Sequence, residues 1–272
     1  MNWQKDIDRI HKLNSLINNP IKQLTNNELK VGVDLGTAAI ALVVVDCQNE
    51  PVAAALEWAS VLKDGLVVDY LGAVDIVKRL KEEVEANLNT SLDYSATAIP
   101  PGTSGNNAAV CGHILEAAGL SLTNLLDEPT AAASALSIED GIVVDIGGGT
   151  TGISVLQEGT VIYTADEPTG GTHLTLVLAG NRGISFEDAE AYKRNEENHN
   201  LILPVVTPVI EKMAHIVKQH IEPYQADRIY LVGGATTIAG FEKIFSRYLG
   251  KEVIKPDYPM LVTPLGIALN GK

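Results

Sequence analysis

The stretch Val143-Val-Asp-Ile-Gly-Gly-Gly-Thr150 decides the fold, because a related stretch occurs earlier as Val31-Gly-Val-Asp-Leu-Gly-Thr37. In each copy an apolar run with an aspartate near its end predicts a buried strand, a turn of glycine and threonine follows, and a second apolar strand comes next. Asp34 and Asp145 hold equivalent positions and are 145 − 34 = 111 residues apart, a spacing typical of a domain. The sequence therefore predicts an internal duplication with two lobes.

Outward from these turns, each copy continues as a meander of three strands. The first copy predicts strands over residues 31–35, 40–46 and 52–58, and the second over residues 142–146, 153–156 and 161–166. The two meanders predict one sheet in each lobe, with a glycine turn at the same place in both sheets.

The two glycine turns have the composition of phosphate-binding loops. Glycine lets the backbone approach a phosphate and point successive N–H groups at it, and the threonine hydroxyl adds a donor. An aspartate near the end of the strand can hold Mg²⁺ through its water shell. One such turn is more often an ordinary hairpin. The matched pair favours a clamp around the β- and γ-phosphates of a nucleotide.

Composition and charge exclude several classes of partner. The 272 residues are 46% hydrophobic, enough for a large core, and the formal net charge is -14. An acidic chain disfavours nucleic acid and anionic membranes as main partners. Apolar runs such as residues 40–45 are too short to span a bilayer, and no secretory signal is visible. We therefore expect a cytoplasmic protein, which its two cysteines also suit.

Four motifs carry a resemblance to a known superfamily. Residues 31–37 and 144–151 resemble the two phosphate motifs of the actin, Hsp70 and sugar-kinase superfamily, and residues 231–235 resemble its adenosine motif. Residues 127–133 resemble the connecting segment of Hsp70 and the bacterial actin MreB. The resemblance implies an α/β, actin-like ATPase fold with duplicated RNase H-like lobes around a nucleotide cleft. It also implies ATP and Mg²⁺ as cofactors.

Further stretches are similar to the EutJ family of ethanolamine-utilisation proteins, which are chaperone-like members of this superfamily. They are residues 64–70, 165–171, 176–182 and 260–265. This resemblance runs from about residue 29 to residue 271. It implies a role in ethanolamine catabolism and, in many bacteria, association with its microcompartment.

The resemblance also implies roles for individual residues. Asp34 and Asp145 would hold Mg²⁺, mainly through water, and Glu128 would orient the attacking water and act as a general base. Glu128, Asp145 and Asp34 thus form the predicted catalytic set. An alternative for Glu128 is structural, because Asp127-Glu-Pro-Thr130 is also typical of a helix start.

The predicted nucleotide-binding residues fall into four groups along the chain. The first phosphate turn supplies Gly36, Thr37 and Ala38, and the second supplies Gly147, Gly148, Gly149, Thr150 and Thr151. A diphosphate turn supplies Gly170, Gly171 and Thr172, and the adenosine side supplies Glu190, Lys193, Gly233, Gly234 and Ala235. Glu187 and Asp69 also match cleft positions of bacterial actins. An ordinary surface pair at i,i+3 is an equally good interpretation of Glu190 and Lys193.

The chain departs from its superfamily in two respects. The catalytic lysine of Hsp70 has no confident equivalent, and Lys63 is the nearest candidate, so we expect slow turnover. About ten residues separate Arg194 from Pro204, where Hsp70, actin and MreB insert a subdomain. We therefore expect a reduced upper subdomain in the second lobe and a cleft that is open on its adenosine side.

The first residues form a separate segment. Trp3, Ile7, Ile10, Leu13 and Ile17 fall on one face of a predicted amphipathic helix, which a polar linker follows. The helix either packs on its own chain or a second copy, or docks on a shell or cargo protein. The expected organisation is residues 1–29 for this helix and linker, residues 30–140 plus 262–272 for lobe I, and residues 141–261 for lobe II.

Two function classes remain open from the sequence. In one, the protein is an ATPase whose lobes close on Mg-ATP and reopen after hydrolysis, driving the release or assembly of a client protein. In the other, it is a nucleotide-dependent scaffold that binds ATP with little hydrolysis and recruits microcompartment partners. Phosphoryl transfer to a small molecule is less favoured, because little chain is left for an acceptor pocket.

Overall fold

A computed structural model describes residues 3–18, 28–63, 65–103 and 105–272 of the chain. The linker was predicted over residues 26–30; residues 26 and 27 lie outside the described residues, and residues 29 and 30 belong to the first strand instead. The strands are β1 (Leu29–Leu35), β2 (Ala39–Asp46), β3 (Pro51–Trp58), β4 (Leu62–Lys63), β5 (Leu66–Val67), β6 (Tyr94–Ile99), β7 (Ser121–Asp127), β8 (Gly141–Ile146), β9 (Thr151–Gln157), β10 (Thr160–Glu167), β11 (Arg228–Val232) and β12 (Glu252–Ile254).

Helices alternate with these strands along the chain. They are α1 (Trp3–Asn18), α2 (Tyr70–Leu88), α3 (Asn106–Ala117), α4 (Glu128–Ala135), α5 (Gly171–Arg182), α6 (Phe186–Arg194), α7 (His199–Ile221), α8 (Phe241–Leu249) and α9 (Val262–Leu269). Short 3-10 helices lie at Glu196–Asn198, Gly234–Thr237 and Pro259–Leu261.

Two five-stranded sheets share one topology. The first has the strand order β3-β2-β1-β6-β7 and the second the order β10-β9-β8-β11-β12. In each sheet the three meander strands are antiparallel and the remaining strands run parallel to the first strand of the meander. The predicted duplication is confirmed. We call each sheet with the helices packed on it a lobe; the residue limits predicted for the lobes remain a prediction.

Three larger apolar cores, and a fourth small cluster that includes Ala131 and Ile267, hold the sheets and helices together. The first lies between the first sheet and α2 and α3, and the second lies between the second sheet and α5, α7 and α8. The third core lies between the two sheets, where α4 and α9 cross. Most strand residues are buried on both faces, which explains why the strands read as continuous apolar runs.

The crossing of α4 and α9 depends on small side chains. A Cβ atom added at Gly266 would lie 1.8 Å from the carbonyl oxygen of Ala131, and one added at Gly32 would lie 2.3 Å from the amide nitrogen of Ala268. The backbones of α9, α4 and β1 therefore meet directly. This contact places Glu128, at the start of α4, beside the strand that carries Asp34.

Helix α1 packs on its own chain and contacts both sheets. Its residues Ile10 and Leu13 are fully buried in the third core, largely against β3. The ring of Trp3 lies 5.9 Å from the ring of Tyr230 in β11. Of the alternatives left open for this helix, the structure has the one in which it packs on its own body.

One helical segment of the described chain, Glu196–Ile221, is long and apolar enough by composition to cross a membrane. Its residues Ile202, Val206 and Ile210 are fully buried in the second core. It also contains Pro204 and Pro208. One face of this helix therefore belongs to the second core.

Candidate functional site

The two phosphate turns face each other and are in contact. One turn joins β1 to β2 and the other joins β8 to β9, at the same place in each sheet. A Cβ atom added at Gly148 would lie 3.2 Å from the Cβ of Thr37 and 3.2 Å from the amide nitrogen of Ala38. A side chain at Gly148 would crowd the first turn by a few tenths of an ångström, so glycine favours this close approach. They enclose a cavity of about 100 Å³, which we call the phosphate cavity.

Two aspartates lie at the base of this cavity. Burial, and then the charge of Asp145, raises the pKa of Asp34 to about 7. Burial raises the pKa of Asp145 to about 6, although the Thr263 hydroxyl donates a hydrogen bond to its carboxylate. Two buried carboxylates of this kind repel each other and favour a cation or a proton between them.

The arrangement fits a magnesium ion that keeps most of its water. Among the described residues no group of three or more His, Cys, Asp or Glu side chains is arranged to hold a metal ion. A divalent cation beside Asp34 and Asp145 would therefore take most of its ligands from water and from phosphate oxygens, as Mg²⁺ commonly does. The glycine turns leave space there that side chains would fill.

Glu128 lines the same cavity, at the first residue of α4. Burial, and then the charges of Asp145 and Asp34, raises its pKa well above the usual value. The helix is capped by the preceding residue, because the amide of Thr130 donates to the Asp127 carboxylate at 3.0 Å. Asp127 therefore serves as the N-cap, and the Glu128 carboxylate is directed to the cavity.

A fourth carboxylate was not predicted from the sequence. Burial raises the pKa of Asp166 in β10 to about 7, and the Thr150 hydroxyl is its hydrogen-bonding neighbour. Its Oδ1 atom is buried without a partner among the described residues. Asp166 does not line the phosphate cavity, and Thr150 connects it to the second turn. Only its position in residues 165–171, a stretch similar to the EutJ family, could have indicated Asp166 from the sequence. Nothing in the sequence of the apolar helix α9 indicated Thr263.

The diphosphate turn braces the second phosphate turn. The amides of Gly171 and Thr172 donate to the carbonyls of Gly147 and Gly148, at 2.9 and 2.8 Å. A Cβ atom added at Gly170 would lie 2.8 Å from the carbonyl oxygen of Gly148. These two N–H groups are thus engaged within the chain, and the turn fixes the shape of the phosphate loop.

Glu190 and Lys193 tie α6 to the start of α5. The Lys193 ammonium donates to Glu190 at 2.7 Å, to the Thr175 hydroxyl at 2.7 Å and to the Gly171 carbonyl at 3.1 Å. The surface pair suggested by the sequence is therefore present, but it is largely buried and anchors two helices. Both residues also line a cavity of about 170 Å³, which we call the nucleoside cavity.

The nucleoside cavity includes the predicted adenosine motif. Gly234 and Ala235 form part of its wall. Gly233 has φ 93°, and a Cβ atom there would lie 2.3 Å from an Asp145 carboxylate oxygen, so only glycine fits. The motif thus packs directly on Asp145.

The remaining residues predicted for the cleft do not line the phosphate cavity. Lys63 and Glu187 line a larger cavity of about 580 Å³ above the two turns, which we call the upper cavity. Asp69 caps α2, since its carboxylate accepts from the amide of Gly72 at 2.9 Å.

One side-chain contact spans the cleft on the side where the sequence predicts an open adenosine site. The Arg194 guanidinium lies over the ring of Trp58, with its carbon 4.0 Å from the ring centre. This contact joins the two lobes at the place where a subdomain is reduced. The prediction of an open side stays a prediction, and this pair of long side chains reaches across the cleft there.

Two like sheets around a cleft with paired glycine turns define a protein of the actin-like ATPase fold class. Family models agree: MreB/Mbl protein matches residues 52–179, and Type IV pilus assembly protein PilM matches residues 130–262. The structure of MreB5 of Spiroplasma citri bound to AMPPNP has a TM-score of 0.70 at 16% identity, covering 89% of this chain and 95% of that one. That likeness concerns the fold alone.

Two relatives then show the particular family. The chain is 45% identical to ethanolamine utilization protein EutJ of Salmonella typhimurium over 249 residues, which is 91% of this chain and 88% of that protein. It is 56% identical to EutJ from Carboxydothermus hydrogenoformans, whose crystal structure has a TM-score of 0.95 with all of both chains covered. The chain belongs to the EutJ family, and the resemblance predicted from its motifs is confirmed.

Proposed function

We propose that this protein binds Mg-ATP between its two phosphate turns, hydrolyses it slowly to ADP, and acts as a chaperone or assembly factor in ethanolamine utilisation. The single observation that carries the proposal is the pair of glycine turns in contact across a cavity whose base holds Asp34, Asp145 and Glu128. The family supports the pathway, since its members bear the name ethanolamine utilization protein.

In the proposed hydrolysis, the bound ion, the two aspartates, the turn amides and Glu128 each have a separate role. Mg²⁺, when bound, supplies positive charge to the phosphates and lowers the pKa of nearby carboxylates. Asp34 and Asp145 would hold its water ligands, and the turn amides would orient the phosphates. The Glu128 carboxylate would accept a proton from the attacking water once a cation has made it ionise.

Charge in the phosphate cavity explains why turnover should be slow. No lysine or arginine of the described chain lines that cavity. Lys63 lines the upper cavity instead, and the ammonium of Lys193 already has three acceptors. The negative charge that develops on the phosphates would therefore be met by Mg²⁺, backbone amides and threonine hydroxyls, without a cationic side chain.

A second candidate is a nucleotide-dependent scaffold that binds ATP and barely hydrolyses it. The contact between the two turns and the Trp58–Arg194 contact favour it, because both hold the lobes together. Either function implies a protein partner, a client or a microcompartment component of the pathway. We place the protein in the cytoplasm, associated with such a compartment, and propose neither nucleic acid nor membrane as a partner.

Steady-state hydrolysis of Mg-ATP by the purified protein tests the proposal, measured beside Glu128→Gln and the control Glu82→Gln on the exposed face of α2. We expect Glu128→Gln to bind ATP but to lose activity by about a hundredfold or more, the usual contribution of a general base. Glu82→Gln should match the wild type. Hydrolysis by Glu128→Gln at the wild-type rate would contradict the assignment, and binding without turnover in every variant would favour the scaffold.

A further inference from the structure

Helix α7 has an apolar face that the rest of the described chain leaves largely uncovered. Its other face packs in the second core. On the outer side Leu201 is 61% exposed, Pro204 and Pro208 are exposed, and Val205 is half-buried. These four residues fall within about 100° around a helix of 3.6 residues per turn, so they form one continuous strip. We call them the apolar strip.

Charged side chains stand at the two ends of the apolar strip. No Asp, Glu, Lys or Arg occurs between Glu197 and Glu211. Glu197 comes four residues before the strip and Lys212 four residues after it, and both are exposed, so the helical repeat places them on the same side as the strip. The ion pairs of α7 within the described chain are those of Glu211 and His220. The charges of Glu197 and Lys212 are therefore available to another molecule.

This order of acidic, apolar and basic groups is complementary to itself in the reverse direction. A two-fold axis through the middle of the strip, perpendicular to α7, sets the helices of two copies antiparallel. Leu201 of one copy then lies level with Pro208 of the other. Glu197 lies level with Lys212 of the other copy, about 11 Å from the axis along the helix. Each contact occurs twice, and every charge meets its opposite.

The side chains of the strip can be buried with little loss of entropy. A proline ring loses no rotamer freedom on burial, and a valine in a helix already keeps essentially one rotamer. Proline is costly within a helix because it removes a backbone hydrogen bond, yet α7 has Pro204 and Pro208 in its interior. Because both rings are exposed, the packing of a single copy gains little from them. A contact with another molecule would use them.

The charge of the whole chain favours a contact between copies at this place. Two chains with a formal net charge of -14 repel each other, and the repulsion is weakest where the surfaces in contact carry no net charge. The strip with its flanking Glu197 and Lys212 is such a surface. The same net charge disfavours an anionic membrane as the occupant.

We propose that two copies of this protein associate through the apolar strip of α7, antiparallel about a two-fold axis, with Glu197 of each copy paired to Lys212 of the other. The contact spans about 23 Å along a helix about 10 Å wide, which is small beside the roughly 800 Å² that a standard interface buries on each partner. We therefore expect a weak, reversible dimer with a dissociation constant of about 10–100 μM. The inference does not depend on the proposed nucleotide site.

Sedimentation velocity of the full chain, at concentrations below and above this constant, tests the inference. The variants are Glu197→Lys, Lys212→Glu, the combination of Glu197→Lys with Lys212→Glu, and Leu201→Asp. The matched controls change exposed residues of the same types on α2, in the other lobe, and are Glu82→Lys, Lys78→Glu and Leu71→Asp. Melting temperatures verify that every variant is folded.

We expect Glu197→Lys and Lys212→Glu each to weaken dimerisation by about tenfold or more, because the two-fold axis brings like charges together twice. The combined variant exchanges the two charges and should dimerise as the wild type does. Leu201→Asp should stay monomeric, because it would bury two carboxylates in an apolar contact. The controls should match the wild type.

Three results would overturn the inference. The first is a wild-type chain that stays monomeric at every concentration. The second is a dimer that persists in Leu201→Asp, which would assign the contact to another surface. The third is a combined variant that dimerises no better than the two single variants, which would exclude the antiparallel pairing of Glu197 with Lys212.

Discussion

Asp145 is a buried carboxylate and Asp34 a half-buried one, and their removal from water favours their protonated forms. Because their pKa values are raised to about 7 and about 6, the folded protein keeps protons between about pH 4 and pH 7 that the unfolded chain has released. Their contribution to the free energy of unfolding is therefore most favourable at low pH, and it is lost as the pH rises through this window. The site carries a cost in stability that a bound cation would remove.

Replacing Asp34 by asparagine should expose this cost. Asparagine resembles the protonated carboxyl group, so we expect Asp34→Asn to raise the melting temperature at pH 8 by at least about 2 °C and to flatten its decline between pH 5 and pH 8. Added Mg²⁺ should raise the melting temperature of the wild type but not that of the variant, because the variant lacks one of the two carboxylates that would hold the ion. Asp75→Asn, at an exposed position of α2, is the control. A lower melting temperature at pH 8, or an undiminished pH dependence, would contradict the account.

The site could be predicted from the sequence only where its residues lie in local motifs. Asp34, Asp145 and Glu128 were found because each lies in a recognisable strand end or helix start. Thr263, Asp166 and Trp58 were missed, because their roles come from contacts with residues far away along the chain. A threonine within an apolar helix and a tryptophan at the end of a strand occur at many positions that have no role in a site, so neither residue indicates one by itself.

Among the elements, the crossing of α4 and α9 controls the geometry of the site. Gly266 allows the backbone of α9 to touch that of α4, which begins with Glu128. Any side chain at Gly266 would separate the helices and move the start of α4 relative to Asp34 and Asp145. Stability and site geometry thus depend on one glycine.

We expect Gly266→Ala to lower the free energy of unfolding by about 3 kcal/mol or more, because its Cβ atom would lie 1.8 Å from the Ala131 carbonyl oxygen. Gly180→Ala in α5 is the matched control, since no atom lies within 4 Å of the added carbon. That control should be neutral or stabilising by up to about 1 kcal/mol. Equal effects of the two substitutions in denaturant unfolding would show that the helices can separate without cost.

The limits of the strands were predicted closely from the sequence. The order in which the strands pair in each sheet was harder to predict. The strand predicted over residues 40–46 is Ala39–Asp46 and that over 161–166 is Thr160–Glu167, because glycine turns and apolar runs set their limits. The parallel partners β6, β7, β11 and β12 join their sheets across long connections. No local pattern specifies such pairing, and here the family resemblance carried the prediction.

At the scale of the whole molecule, the lobes are joined on several sides. The phosphate turns touch, Trp58 stacks on Arg194, α4 crosses α9, and α1 packs against both sheets. A nucleotide would have to part the turns and would then replace their contact with its own. Binding energy would therefore be coupled to the separation of the lobes, which a partner protein can sense.

Calorimetric titration of the wild-type protein with ATP, with and without Mg²⁺, tests the central claim most directly. We predict one site per chain, much weaker binding without Mg²⁺ because the carboxylates repel the phosphates, and a rise of about 2.7 kcal/mol in the free energy of unfolding at a hundred times the dissociation constant. No binding heat and no change in the melting temperature with millimolar Mg-ATP would contradict the account.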